Sequence, residues 1–221
     1  MILKTNELFN TEHTIAKSLL DGCEYPHMAL PKIKEFIKEY FLLLDDSFKE
    51  ISDGVFVAED AKIWDGATIV GPTIIGHKAE IRPGAFIRGS VIIGDGAVIG
   101  NSTEVKNAIL FDGVQIPHFN YCGDSILGYK AHMAAGVITS NVKSDKTNVT
   151  IRTEDGRIET GLRKLGALVG DFVEIGCNTV LNPGTVIGRN TTVYPLSRVR
   201  GIIPAGHIYK SETQIVPKQE K

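Results

Sequence analysis

The chain has 221 residues, 43% of them hydrophobic, with 24 basic and 26 acidic side chains and a formal charge of −2. That balance suits one packed domain with a small appendage, argues against disorder, and leaves no basic footprint of the kind that draws nucleic acid. No uncharged apolar run approaches the roughly 18 residues that a membrane-spanning helix needs. The start, Met1-Ile2-Leu3-Lys4, lacks the layout of a signal peptide, so the sequence points to the cytoplasm.

Residues 1–50 read as a helical cap. Ile33, Phe36, Ile37, Tyr40, Phe41 and Leu44 recur at helical spacing after Pro31, a favourable first helical position, and Ile15, Leu19 and Leu20 mark a shorter segment before them. Two helices with apolar faces are expected, covering the first coil of the repeat region or offering a surface to a neighbouring subunit.

From Val57 every sixth residue is aliphatic: Val57, Ile63, Ile69, Ile75, Ile81, Ile87, Ile93, Ile99 and Val105. Smaller or shorter side chains such as Ala61, Ala67, Thr73, Ala79 and Ala85 stand two places earlier. The register returns as Val169, Ile175, Leu181, Ile187, Val193 and Val199. Six residues are too few for a hairpin or a helical repeat but suit one short strand and a corner, the signature of a parallel β-helix. Three such units close a triangular coil, and coils stack about 4.8 Å apart with exposed edges at either end. The prism is placed at residues 51–210, with 211–221 as a C-terminal tail.

The period slips by one residue at Leu110 and again at Leu127, then vanishes over 142–166. Within that gap, Asn148-Val-Thr-Ile-Arg-Thr153 and Arg157-Ile-Glu-Thr160 flank Glu154-Asp155-Gly156, which reads as two strands around a glycine turn. The gap is therefore an inserted arm projecting from the prism.

Cys23, Cys122 and Cys177 are odd in number and widely spaced, which suits free thiols rather than disulfides or zinc. His13, His27, His77, His118, His132 and His207 include no close pair of the sort zinc sites use, so no metal is expected. Polar residues gather where the period fails: Arg82, Glu104, Lys106, His118, Tyr121, Asp124, Lys130, His132, Asn141, Lys143 and Lys146. Cations suit a phosphate, and a histidine near neutral pKa suits proton transfer.

The segment Pro117-His118-Phe-Asn-Tyr121-Cys-Gly123-Asp124-Ser-Ile-Leu-Gly128 resembles the active-site stretch of glucosamine-1-phosphate N-acetyltransferases, the β-helical C-terminal part of bifunctional enzymes that make UDP-N-acetylglucosamine. Arg82-Pro-Gly84, Gly100-Asn101-Ser-Thr-Glu104-Val-Lys106 and Ala135-Gly136-Val-Ile-Thr-Ser-Asn141 match in spacing. The run from Asp145-Lys146 to Gly166 resembles that of archaeal-type bifunctional sugar-1-phosphate nucleotidylyltransferase/acetyltransferases, and the resemblance spans about residues 80 to 200.

The resemblance implies a left-handed β-helix, a homotrimer with sites between neighbouring prisms, acetyl-CoA as co-substrate and an amino-sugar 1-phosphate as acceptor. His118 falls on the general base, and Glu104 on an acidic position near the attacking amine. Arg82, Lys106, Tyr121 and Asn141 fall on positions holding sugar phosphate or acyl donor. Ala135, Cys177 and Pro195 fall on the acetyl-CoA groove. His132 stands where bacterial members usually have Asn, and Lys146 aligns with a substrate lysine after a one-residue gap, so both mark the sugar pocket and leave glucosamine against galactosamine open. Where the bifunctional relatives carry a nucleotidyltransferase domain, only about fifty residues precede the prism, so no such activity is expected of them. An acyltransferase for another amino sugar or sugar nucleotide, a pyrophosphorylase-related protein and a non-catalytic binding subunit are the alternatives.

Overall fold

The computed structural model of the protein describes residues 4–153 and 156–219. Glu154 and Asp155, on which the expected turn of the arm falls, lie outside them. The six-residue period is realised as a parallel β-helix whose short strands stack on three faces. The first face carries Val55–Ala58, Thr73–Ile75, Val91–Ile93 and Ala167–Val169, the second Glu80–Ile81, Gln115–His118 and His132–Met133, and the third Phe86–Ile87, Ile138–Thr139 and Val180–Leu181. The periodic residues fill the interior: Ile75, Ile81, Ile87, Ile93, Ile99 and Val105 are all fully buried.

The two slips have one structural cause. Ile75 pairs with Ile93, eighteen residues on, but Ile93 pairs with Leu110 and Leu110 with Leu127, each seventeen on. The residue lost in each coil comes from the corner between the third and first faces. There the chain runs straight through as the strands Glu104–Leu110 and Tyr121–Leu127, turning at Asn107 and Asp124 with φ of 46° and 49°. Asn and Asp are the non-glycine residues that tolerate this left-handed conformation best.

The ends of the prism are closed differently from the expectation. The helical segment stops at Leu43, short of residue 50, and Phe48–Ser52 is a strand antiparallel to Val55–Ala58 across a two-residue Asp53-Gly54 turn. Asp-Gly is a strong hairpin signal, and here it lets the chain cover its own first edge. At the other end, the segment expected as a tail folds back: Gln214–Pro217 pairs antiparallel with His207–Ser211. An unpaired row of backbone groups is a liability at both ends, and a hairpin removes it.

The helices accordingly do not cap the first coil but lie along the first face as a strap. Leu8 and Asn10 bond to Asp171, and the His13 carbonyl accepts the Asp112 N–H. Pro26–Lys32 lies beside Tyr121–Leu127, Ile33–Tyr40 crosses Val91–Ile93 and Glu104–Leu110, and Phe41 stacks on Phe56 of the first coil. The strap covers a stripe in which Ile74, Ile92, Ile109, Ile126, Leu168 and Val186 are buried, although each sits between two inward residues of its strand. Pro31 does not open the α-helix. It lies in the 3₁₀ run Pro26–Lys32, and the α-helix starts at Ile33, placing Ile33 and Ile37 one turn apart in the core.

The arm is the hairpin expected, with Thr150–Thr153 antiparallel to Gly156–Glu159. Its root does not stand clear of the prism: Val149, Ile151 and Leu165 are fully buried, and a Cβ at Gly184 would meet the Thr150 carbonyl oxygen at 2.8 Å.

Candidate active site

The outward residues of the third face form a column. Phe86, Glu104, Tyr121, Ile138, Val180 and Arg198 are successive register partners, one per coil. Lys106 and Gly123 are partners in the next column towards the shortened corner. Gly123 is small for a reason, since an added Cβ would sit 2.5 Å from the Tyr121 hydroxyl oxygen. The phenol ring lies over it and reaches the corner.

There the polar side chains meet. Glu104 accepts from Arg88 Nη1 at 2.6 Å. Asp124, 4% exposed, accepts from Asn107 Nδ2 at 2.9 Å, from Lys106 Nζ at 3.3 Å, and from Asn141 Nδ2. Asn141 Nδ2 also donates to the Tyr121 hydroxyl at 3.1 Å. Burial pushes the Tyr121 phenol above its usual pKa; the Asn141 hydrogen bond opposes this and the nearby Asp124 charge adds to it. Inside the strand, burial pushes the Cys122 thiol up to about 12, which keeps it an inert core group.

His118 sits at the corner between the second and third faces, at the end of Gln115–His118. Its backbone is held tightly: the N–H donates to Asn120 Oδ1 at 3.1 Å and the carbonyl accepts from the Gly136 N–H. Its imidazole is exposed and makes no hydrogen bond or ion pair among the described residues. Ala135 and Cys177 continue the corner coil by coil, their carbonyls accepting from Asn178 and Leu196, and Pro195 precedes Leu196 on the last of these turns. Ala135 is half-buried, while Cys177 and Pro195 are exposed.

The predicted residues thus fall into three groups. Glu104, Lys106, Tyr121 and Asn141 come together on the third face. His118, Ala135, Cys177 and Pro195 line one corner. Arg82 and His132 belong to the second face, where Arg82 Nη2 meets Glu80 at 3.2 Å and His132 Nδ1 meets Glu174 at 2.7 Å. Lys146 is exposed on the loop into the arm, its side chain without a partner among the described residues.

Two residues were not singled out by the sequence. Asn120 is buried at an inward position otherwise held by Ala85, Thr103, Val137 and Thr179, and it ties His118 to the Ala134 carbonyl, which its Nδ2 reaches at 2.7 Å. A carboxamide at that step of the period, where Ala, Thr or Val otherwise stands, was the available signal. Arg88 carried none beyond its charge.

A second constellation has the connectivity of a nucleophilic triad. Ser47 Oγ is 3.1 Å from His77 Nε2, and His77 Nδ1 is 2.8 Å from Asp60. The Ser47 hydroxyl, however, donates to Asp45. Its single proton is therefore directed away from the imidazole that would have to remove it, and the group joins the segment before the closing hairpin to the first two coils.

Among the described residues no helix is long and apolar enough to cross a membrane, and no three His, Cys, Asp or Glu side chains are grouped to hold a metal ion.

A family model described as the GMPPB C-terminal domain matches residues 69–163. The bifunctional sugar-1-phosphate nucleotidylyltransferase/acetyltransferase of Sulfurisphaera tokodaii is 35% identical over 167 residues, which cover 76% of this chain and 41% of that protein. The bifunctional protein GlmU of Methanococcus maripaludis is 34% identical over 122 residues, 55% of this chain and 29% of that protein. The uncharacterized acetyltransferase YaiX of Escherichia coli O6:K15:H31 is 33% identical over 190 residues, covering 82% of this chain and 81% of the relative. The chain spans under half the length of the bifunctional relatives but most of YaiX.

Proposed function

The chain belongs to the hexapeptide-repeat acetyltransferases, and from that premise we propose that it transfers the acetyl group of acetyl-CoA to the amine of an amino-sugar 1-phosphate. One observation carries the choice of acceptor. The cationic, hydrogen-bonding cluster of Lys106, Tyr121 and Asn141 lies on the face that begins just after His118, whose imidazole is free. A phosphate and a sugar hydroxyl suit the cluster, and an attacking amine suits the imidazole.

In this reading acetyl-CoA runs along the corner of Ala135, Cys177 and Pro195, bringing its thioester to His118. The amine nitrogen attacks the thioester carbonyl carbon, and His118 takes the proton that the nitrogen loses. The tetrahedral intermediate collapses with cleavage of the C–S bond, and the thiolate leaves and is protonated. Glu104, held by Arg88, orients the amine. A backbone N–H at the corner faces the developing oxyanion.

Arg82, His132 and Lys146 are the remaining ligands of the sugar phosphate. Arg82 and His132 sit on another face from Lys106, so all serve one substrate only if the second face of one copy meets the third face of the next. A homotrimer with its sites between prisms meets that need. These substrates place the reaction in the cytoplasm.

The test is thiol release from acetyl-CoA with glucosamine-1-phosphate and with galactosamine-1-phosphate, for wild type and His118→Ala. Release with one or both is expected, reduced about 10²- to 10⁴-fold by the substitution. No release with either sugar would overturn the acceptor, and release unchanged in the variant would overturn only the part given to His118.

A further inference from the structure

Asp124 is the meeting point of the polar cluster. It is 4% exposed and accepts hydrogen bonds from three side chains on the two coils that flank its own, Lys106 and Asn107 on one side and Asn141 on the other. Its own carbonyl accepts the Gly166 N–H at 2.8 Å, and the Asn141 carbonyl accepts the Leu165 N–H at 3.0 Å, so the end of the arm is tied to the same spot. No other acidic side chain reaches these donors among the described residues.

We propose that Asp124 is a positioning residue that sets the direction of the hydrogen bonds offered to the acceptor substrate, an inference that rests on Lys106, Tyr121 and Asn141 holding the sugar phosphate. An ionised carboxylate only accepts. It therefore fixes the orientation of the Asn141 amide, which a neutral partner would leave free to flip: the NH₂ group faces Asp124 and the carbonyl oxygen turns away. The same NH₂ nitrogen lies 3.1 Å from the Tyr121 hydroxyl. Asn141 thus spends one N–H on Asp124 and the other on the phenol oxygen. Because the phenol oxygen is already accepting, its own hydrogen is left to donate outward.

The result is a chain of fixed sense. The Tyr121 O–H points at a ligand oxygen, the Asn141 Oδ1 is left for a ligand hydroxyl or amine, and the Lys106 ammonium is held at the edge of the corner with 24% of its side chain exposed. Tyr121, its phenol pushed above the ordinary range by burial, keeps that hydrogen at neutral pH. Asp124 itself touches no substrate in this arrangement; it acts through its three partners.

Asp124→Asn tests this, because Asn has the same shape and tolerates the left-handed backbone at this corner, φ 49°. Its amide would offer N–H where only acceptance is wanted. Asn141 is then free to turn its carbonyl towards Tyr121 and take the phenol hydrogen. The expected result is a rise of about tenfold or more in KM for the sugar phosphate, the scale of one hydrogen bond involving a charged group, with the KM for acetyl-CoA within about twofold. Tyr121→Phe removes the same donor, so adding it to Asp124→Asn should cost little more. An unchanged sugar KM in Asp124→Asn, or fully additive losses in the double variant, would overturn the proposal.

If wild type releases no thiol with either sugar phosphate, the acceptor reading has failed, and crystal structures of wild type and Asp124→Asn decide the role of Asp124 by themselves. The readout is the orientation of the Asn141 amide, seen from its deuterons in neutron data: its carbonyl oxygen turned towards Tyr121 in the variant supports the role. The same orientation in both proteins would overturn it.

Discussion

His132 and Glu174 are register partners on adjacent coils of the second face, their side chains joined at 2.7 Å between Nδ1 and Oε2. Lys106 belongs to the third face and meets Asp124. Within one prism the two cannot hold one small substrate, since side chains on different faces of a triangular coil diverge. If both serve the same sugar phosphate, they come from different copies. His132→Ala and Lys106→Ala, each impaired alone, should then complement when the two chains are unfolded together and refolded as mixed oligomers. About a quarter of sites in a random mixture would have both faces intact. The measurement is thiol release by the mixture against each variant alone, and activity no better than the sum of the two would show that the residues do not share an intersubunit site.

Ile109 points to the outside of the prism yet is fully buried beneath the strap, as is Ile99 in the interior. Ile109→Ala should destabilise the protein by about 2 to 5 kcal/mol, the range for a buried aliphatic truncated to Ala, and therefore as much as Ile99→Ala. Denaturant unfolding of the two variants at equal protein concentration makes the comparison. A cost near zero for Ile109→Ala would mean that the strap does not seal the first face.

That stripe is legible in the amino-acid sequence. The residue between the two inward positions is Ile74, Ile92, Ile109, Ile126, Leu168 or Val186 on one face in three, whereas the corresponding third-face residues include Glu104 and Tyr121. An apolar outward residue once per coil, at intervals of seventeen or eighteen outside the arm, announces one covered face, and the helices with unpartnered apolar sides are its natural cover. The six-residue period alone does not reveal this because it reports only what points inward. Asp53-Gly54 likewise announces the closing hairpin. The convergence on Asp124 is less accessible: Lys106, Asp124 and Asn141 meet because two coils lose a residue at the same corner, and the geometry that a missing residue creates is not written in any single side chain. His118 and its neighbours are legible as a motif, but the assignment of Arg82 and His132 to a different face needs the strand register.

Asp171 anchors the start of the strap by accepting the N–H groups of Asn10 and Tyr129, at 2.8 and 2.9 Å. Arg189 Nε lies 3.2 Å away without the alignment of a hydrogen bond, so its help is one of charge alone. Burial, the largest influence, raises the carboxyl above its ordinary value; the two N–H groups and the Arg189 charge pull it down but do not cancel the rise. A carboxyl raised in the folded state binds its proton more tightly there than in the unfolded chain. Its contribution to stability is therefore fully present below the unfolded pKa of about 3.9 and is lost as pH rises through the folded value. Asp171→Asn removes this titration. Between about pH 4 and pH 7 the thermal midpoint of wild type should fall relative to that of the variant as pH increases, and parallel curves would rule out Asp171 as the source of any pH dependence.

Gly123 leaves the space that the Tyr121 ring occupies, and an added Cβ would lie 2.5 Å from the hydroxyl oxygen and 2.7 Å from the carbon that bears it. Its backbone is not left-handed, so Gly123→Ala brings no conformational strain of its own, and its whole effect passes through the ring. The strand cannot yield easily, because the Gly123 N–H donates to Thr139 Oγ1 at 2.9 Å and its carbonyl accepts from Ser125 Oγ at 2.8 Å. The phenol must move instead, and it leaves Asn141. Gly123→Ala should cost about 1 to 3 kcal/mol of stability, as overpacking usually does, and raise the sugar KM in wild-type background. In a Tyr121→Ala background the clash has gone and the same substitution should cost almost nothing, which a double-mutant cycle of unfolding free energies measures directly. A Gly123→Ala cost that persists without the ring would place the constraint in the strand backbone rather than in the seat of Tyr121.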